Sequence, residues 1–336
     1  MPQDQPETKS PFHAGELQAQ ERMGVRDKIG RVAGRRIRDH MPEQHREFYA
    51  ALPFVLLGSV DNQGRPWASI LAGRPGFMST PDPRSLEIAA TPLFGDPLKG
   101  TIKPGADIGL LGLQPETRRR NRLTGRVRAA GLERISIEVT QAFGNCPQYI
   151  QSRTVELRPE IDTPQAQRRT IQSDRFDDEV RALIERSDTL FIATAYLDEA
   201  GAAAQGADVS HRGGKPGFVR IEDDRTLVFP DFSGNLHFNT VGNILLNPKA
   251  GFLFIDFDSG DLVYMTGQAE IVWDGEDVEA FAGAERLIRF RAEKVIRVEN
   301  SLPLRFRFGA YSPMLEPTGS WSFPYEQGLG KLTPAD

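Results

Sequence analysis

Lys215-Pro-Gly-Phe218, followed by the strand-like Leu227-Val-Phe229, has a counterpart in the other half of the chain: Arg74-Pro-Gly-Phe77, followed by the strand around Leu86-Glu-Ile88. The interval from Gly76 to Gly217 equals that from Leu86 to Leu227. Upstream, Phe54-Val-Leu-Leu-Gly-Ser-Val60, the turn Asp61-Asn-Gln-Gly64 and Pro66-Trp-Ala-Ser-Ile-Leu71 answer to Leu190-Phe-Ile-Ala-Thr-Ala-Tyr196, the turn Leu197-Asp-Glu-Ala-Gly201 and Ala207-Asp-Val-Ser-His-Arg212. Downstream, Leu123-Thr-Gly-Arg-Val127 echoes Met265-Thr-Gly-Gln-Ala269. Several motifs at a shared spacing mark an internal duplication. Each half reads as a leading helix, a hairpin, a third strand, a helix or loop, and a second hairpin.

The last hairpin of the second half is the clearest. Gly251-Phe-Leu-Phe-Ile-Asp-Phe257 is apolar in both phases, which predicts a strand covered on both faces. The turn Asp258-Ser-Gly260 leads into Asp261 through Trp273, where Gln268 and Glu270 alternate with Ala269 and Ile271 as on a half-exposed strand. Short strands separated by turn residues predict small closed barrels, which leave no bare edges. The fold class expected is mainly β with flanking helices (α+β), as two tandem β-barrels. Residues 1–160 form a helical arm and the first barrel, and residues 161–336 form the second barrel and an aromatic tail. Glu16 to Leu52 is helix-like and highly charged, and packs across a barrel or a partner chain. A polar linker, Arg158 to Gln165, precedes a helix expected from about Ala166 to Arg186, with Val180, Leu183 and Ile184 as its apolar stripe. The tail, with Arg305-Phe-Arg-Phe308, Tyr311, Trp321, Phe323 and Tyr325, is too apolar to be a free linker and is expected to dock.

At 336 residues the chain exceeds what one core usually serves. A net charge of −5 gives no reason to expect nucleic acid or an anionic membrane. One cysteine excludes an internal disulfide, and no Cys/His cluster has metal spacing. With neither a signal-like N-terminus nor a bilayer-length apolar run, a cytoplasmic protein is expected.

The motif Asp231-Phe-Ser-Gly-Asn235 lies between the strand Arg225–Phe229 and a helix-like run with Phe238, Val241 and Leu245 on one face. Strand, small polar loop and helix start together suit a phosphate, because the first helical N–H groups lack partners and the helix dipole favours an anion. Ser233 adds a hydroxyl, Gly234 allows close approach, and Asn235 caps or donates. Cys146, in Asn145-Cys-Pro147, stands at an expected helix start. Asn145 as cap and Pro147 near the first turn account for it structurally, and redox use is the sharper alternative. Arg118-Arg-Arg-Asn-Arg122 reads as a solvated hairpin turn matching Asp258 through Asp261. Contact with an anionic partner or a second nucleotide is the sharper alternative. His13, His40 and His45 read as surface or capping residues.

The chain resembles the pyridoxamine 5′-phosphate oxidase-like FMN-binding proteins. In the second half, Asp208-Val-Ser-His-Arg-Gly-Gly214, Pro216-Gly-Phe218, Phe229-Pro-Asp-Phe-Ser-Gly-Asn235, Gly242-Asn243 and Asn247-Pro248 carry the likeness. In the first half, Ser10-Pro-Phe-His-Ala-Gly-Glu16, Gly73 to Phe77 and Gly144-Asn-Cys-Pro-Gln-Tyr-Ile150 carry it. The resemblance implies split β-barrels with an FMN near a subunit interface, in a homodimer. The oxidase's basic run after the third strand is replaced here by Asn235, Leu236 and His237, so pyridoxamine phosphate is not implied as substrate. For FMN, Arg212 offers a planar fork to phosphate, Ser210 and Ser233 offer hydroxyls, and Gly213-Gly214 offers backbone N–H groups. Phe229, Pro230 and Phe232 would wall the ring, and Asn243 would reach the ribityl chain or stay in solvent. His211 and His237 flank the loop and, with Cys146, are the candidate catalytic groups; no metal site is expected. The first half offers Thr91 to Pro97 instead, where Asp96 repels phosphate and Pro92 and Pro97 remove donors, so one flavin site per chain is expected. The reading is an FMN-dependent oxidoreductase acting on a small molecule, with NAD(P)H or a redox protein as partner. The alternative is a non-catalytic flavin- or haem-binding module serving a redox partner.

Overall fold

The computed structural model describes residues 10–158, 168–197 and 205–321. Three helices lead: α1 (Ala14–Arg22), α2 (Arg26–Arg36) and α3 (Glu43–Ala51). The first barrel follows as β1 (Phe54–Val60), β2 (Pro66–Ala72), β3 (Met78–Ser79), β4 (Ser85–Ile88), β5 (Asp107–Gln114), β6 (Arg119–Ala130) and β7 (Ile135–Asn145). After β8 (Ser152–Leu157), β9 (Thr170–Ser173) and α4 (Asp178–Arg186) comes the second barrel. Its strands are β10 (Thr189–Tyr196), β11 (Gly206–Gly213), β12 (Arg220–Ile221), β13 (Thr226–Phe232), β14 (Lys249–Ile255), β15 (Leu262–Val272) and β16 (Ala284–Val298). Helix α5 (Asn239–Leu246) lies between β13 and β14, α6 (Glu276–Glu279) between β15 and β16, and β17 (Leu304–Ala310) closes the series.

The duplication is visible in the topology. The first sheet runs β2-β1-β5-β6-β7-β4-β3 and the second β11-β10-β14-β15-β16-β13-β12, the same order strand for strand, with β9 added on β16. The echoed Thr-Gly pairs are matching β-bulges, with register shifts at Thr124/Gly125 and Thr266/Gly267. The molecule is mainly β, two tandem split barrels with flanking helices. Register makes Gly58 equivalent to Ala193, one residue off the alignment read from the sequence, because each lies opposite an equivalent glycine, Gly109 or Gly251.

The barrels meet across a pseudo-two-fold axis. A Cβ on Gly109 would come within 2.6 Å of the Ala207 carbonyl oxygen, and one on Gly251 within 2.2 Å of the Pro66 carbonyl oxygen. Strands at this seam are buried on both faces, as expected for the last hairpin. Phe252 and Phe254 fill the second barrel, while Leu253 and Ile255 join the core that runs on from the first. The halves also interlock, since β8 pairs with β17 and α1 crosses α5.

Some boundaries differ from expectation. The helix expected from Ala166 starts only at Asp178, capped by the Asp177 side chain. Residues 170–173 instead pair with β16, where edge hydrogen bonds outweigh helix propensity. The tail docks through β17 and through Trp321, whose Nε1 donates to Phe218 O at 3.0 Å. Phe323, Tyr325, the linker beyond Arg158 and most of the turn after Leu197 lie outside the described residues. No helix among the described residues is long and apolar enough to cross a membrane.

Candidate functional site

A cavity of about 100 Å³, open to solvent, lies between the barrels. The second barrel supplies Ser210 to Gly213 of β11, the end of β13 and the loop after it from Pro230 to Leu236, the start of α5 from Phe238 to Val241, and Glu285 and Arg286 of β16. The first barrel supplies Arg120 and Arg122 of β6, Asn145 at the end of β7, and Gln148 and Tyr149 after it.

Charge distinguishes it. Arg122 is buried, with Nε 3.2 Å from Asp208 Oδ1 and Nη1 donating to Asn239 Oδ1 at 2.7 Å; it also donates to Ser210 Oγ. Arg212 and Arg286 share Asp231, at 3.0 and 2.7 Å, and Arg286 also reaches Glu285 at 2.6 Å. Arg120 donates through Nε to Cys146 O at 2.6 Å. Burial and the guanidinium groups of Arg122 and Arg212 push Arg120 down to about 10, so it stays a cation at neutral pH. The N-cap of α5 is Phe238, at φ 61°, with no side-chain cap, so the first N–H groups of the helix lack an internal acceptor, and Phe238 to Val241 line the cavity.

Most of the expected ligand residues converge here: Ser210, His211, Arg212, Pro230, Asp231, Phe232, Ser233, Gly234 and Asn235. Phe229 does not. It is fully buried in the second barrel, 5.8 Å from the Phe252 ring, because strand alternation turns it away from Pro230. Asn243 lies outside the lining; it is buried and donates to Thr194 Oγ1 at 3.0 Å. Asn235 does not cap α5, which starts four residues later. Its Oδ1 accepts from His237 N and its Nδ2 donates to Asn145 Oδ1. Gly214 spends its N–H on Asp188 O at 3.0 Å.

The three catalytic candidates separate. His211 lines the cavity with Nδ1 3.4 Å from Arg120 Nη1, and burial plus the cations of Arg120, Arg212 and Arg153 keep its pKa well below the usual value. His237 is outside the cavity lining, buried between the rings of Phe12 and Phe143 at 5.5 and 5.4 Å, and burial holds it down at about 4. Cys146 is not at a helix start. It follows β7, and its thiol donates to Gln148 Oε1 at 2.8 Å.

Sequence reasoning missed Arg286, and it put Arg120 and Arg122 in a solvated turn, with contact to an anionic partner or a second nucleotide only as the alternative. Arg118 alone keeps the turn conformation, at φ 55°, and β6 begins at Arg119. The signal was present in alternation: Arg120 and Arg122 share the face that leads into the strand, while Arg119 is exposed. All three line the cavity.

The equivalent position in the first barrel is filled. Ser69 is the counterpart of Ser210 and Tyr264 that of Arg122 by strand register. Between them stands Asp96, accepting from Ser69 Oγ, from Leu98 N at 2.8 Å and from Tyr264 Oη at 3.5 Å. Burial pushes Asp96 up to about 6.

Residues 176–305 match the sequence model of the family described as pyridoxamine 5′-phosphate oxidase. The match lies within the second barrel, which is thus similar to the pyridoxamine 5′-phosphate oxidase family. Among solved structures it is similar to HupZ of Group A Streptococcus (20% identity, TM-score 0.28), covering 35% of this chain and 90% of that one. It is also similar to a Lactobacillus delbrueckii protein assigned as a candidate pyridoxamine 5′-phosphate oxidase (16% identity, TM-score 0.29), covering 37% of this chain and 94% of that one. A conserved hypothetical protein of Mycobacterium tuberculosis (14% identity, TM-score 0.22) covers 47% of this chain and 96% of its own. No curated protein matches at a significant level.

Proposed function

We propose that the chain binds one FMN in the inter-barrel cavity and acts as an oxidoreductase on a small molecule. The observation that carries this reading is the α5 N-terminus, uncapped and lining a cavity with Arg122, Arg212 and Ser233. A helix start with nearby guanidinium and hydroxyl donors suits a phosphate dianion. Phe232 and Tyr149, whose rings lie 4.9 Å apart, offer an aromatic wall for a planar ring. A bound flavin supplies hydride or single-electron transfer. The protein's part is to hold the phosphate, order the ring between the barrels and keep water from it. His211 stays neutral there and accepts at Nδ1, so it orients rather than supplies a proton at neutral pH.

Both walls come from one chain, so a second subunit is not needed to complete the site, and the homodimer implied by the resemblance is mimicked internally. NAD(P)H or a redox protein would reduce the flavin. The purified protein, freed of unbound cofactor, should carry a flavin band at roughly 450 nm, a general property of the cofactor. Arg212→Ala combined with Ser233→Ala should weaken affinity about tenfold to hundredfold, as loss of bonds to a charged group does. Unchanged affinity would remove the phosphate assignment. Bleaching by NADH or NADPH separates an enzyme from a carrier.

A further inference from the structure

We propose that the cavity holds a second anion beside the flavin phosphate: a carboxylate or phosphate group of the substrate, docked on Arg120. This deepens the flavin reading and rests on it. Arg212 and Arg286 share Asp231, and Arg122 has Asp208. Among the described residues, no carboxylate lies within ion-pair distance of Arg120. Its Nε is held by Cys146 O, the Cys146 thiol also lies beside the guanidinium, and its Nη1 lies against His211, on a side chain that lines the cavity. A half-buried cation crowded by other cations is costly unless an anion joins it.

Geometry separates this position from the helix end. Arg122 is tied to the start of α5 through Asn239. Arg120 stands two residues earlier on the same face of β6, roughly 7 Å away along the strand. Two amides face the space beside it. Gln148 receives the Cys146 thiol on Oε1, and Asn145 receives Asn235 on Oδ1. Both therefore present their NH2 groups as donors, the complement of an anion. The first barrel, whose own equivalent position is filled by Asp96, would thus recognise substrate for the second. A neutral or cationic substrate would leave Arg120 uncompensated.

The test uses the full chain loaded with FMN and titrated by calorimetry with inorganic phosphate and, separately, with acetate. Saturable binding is expected, weakened about tenfold or more by Arg120→Met, since a charge-assisted bond is lost. Gln148→Leu should weaken it less, and serves if Arg120→Met does not fold. FMN affinity, read by fluorescence quenching, should change by less than about twofold in both variants, as for separate sites. Tighter phosphate assigns a phosphate ester and tighter acetate a carboxylate; binding of neither overturns the proposal. So does phosphate binding that both variants leave intact, or an FMN affinity that falls in step with it, which would put Arg120 under the flavin phosphate. If the wild-type chain takes up no FMN, the flavin reading fails by itself. The same titration on the flavin-free chain then still judges Arg120: loss of phosphate binding in Arg120→Met upholds the anion site, and unchanged binding ends it.

Discussion

Glu16 shows how far burial reaches into this site. It accepts from His13 N at 2.9 Å and from Asn239 Nδ2, and Asn239 in turn holds Arg122. Burial pushes its carboxyl up from 4.5 to about 8, Asp208 adding to the rise while its two donors and Arg122 oppose it. The adjacent His13 ring is held down at about 4 by burial, so it brings no charge at neutral pH. The folded chain therefore holds the Glu16 proton more tightly than the unfolded chain does. The resulting stability is fully present below about pH 4.5 and is lost as the pH rises through about 8. Wild type should lose thermal stability relative to Glu16→Gln between about pH 5 and pH 9. Melting curves at the two ends of that window check this, and a constant gap would mean that Glu16 does not titrate within it. From sequence, Glu16 was part of a motif; its neighbours were unreadable, because Asn239 and Asp208 are far away along the chain.

At the scale of elements, α1 completes the site by clamping α5. A Cβ on Gly15 would meet the Gly242 carbonyl oxygen at 2.1 Å, and one on Gly242 would meet Glu16 N at 2.5 Å, so the backbones touch. Ala19, Phe238 and Val241 bury the rest of the crossing. The apolar stripe of Phe238, Val241 and Leu245 was legible in the sequence as a helix face, but its partner was not. The N-terminal arm was equally free to cover a barrel or another chain. Gly242→Ala should force the helices apart, costing about 1–3 kcal/mol as overpacking does. It should also lower FMN affinity by displacing the uncapped helix start. Denaturant unfolding and FMN titration test the two effects, and full affinity in a destabilised variant would uncouple the crossing from the site.

For the whole molecule, the decisive feature is the pseudo-two-fold seam. Gly251→Val should keep the barrels from closing and reduce FMN affinity by about tenfold or more, because walls from both barrels must be aligned. Retained affinity would show that the second barrel binds the flavin unaided. Purified protein should carry one flavin per chain, since Asp96, Leu98 and Tyr264 occupy the mate position. A ratio near two would overturn that asymmetry.

The duplication, the mainly β class and the Pro230-to-Asn235 loop were readable directly, because turn residues, alternation and repeated spacing are local properties of a chain. The cationic lining was not. Arg120 and Arg122 look like solvated charges in a turn until β6 pairs with β7, and only the docking of one barrel on the other carries them into a cavity shaped by the second. Which arginines keep a counter-charge, and which does not, depends on partners brought together from distant parts of the sequence. That electrostatic balance exists only once the fold has closed.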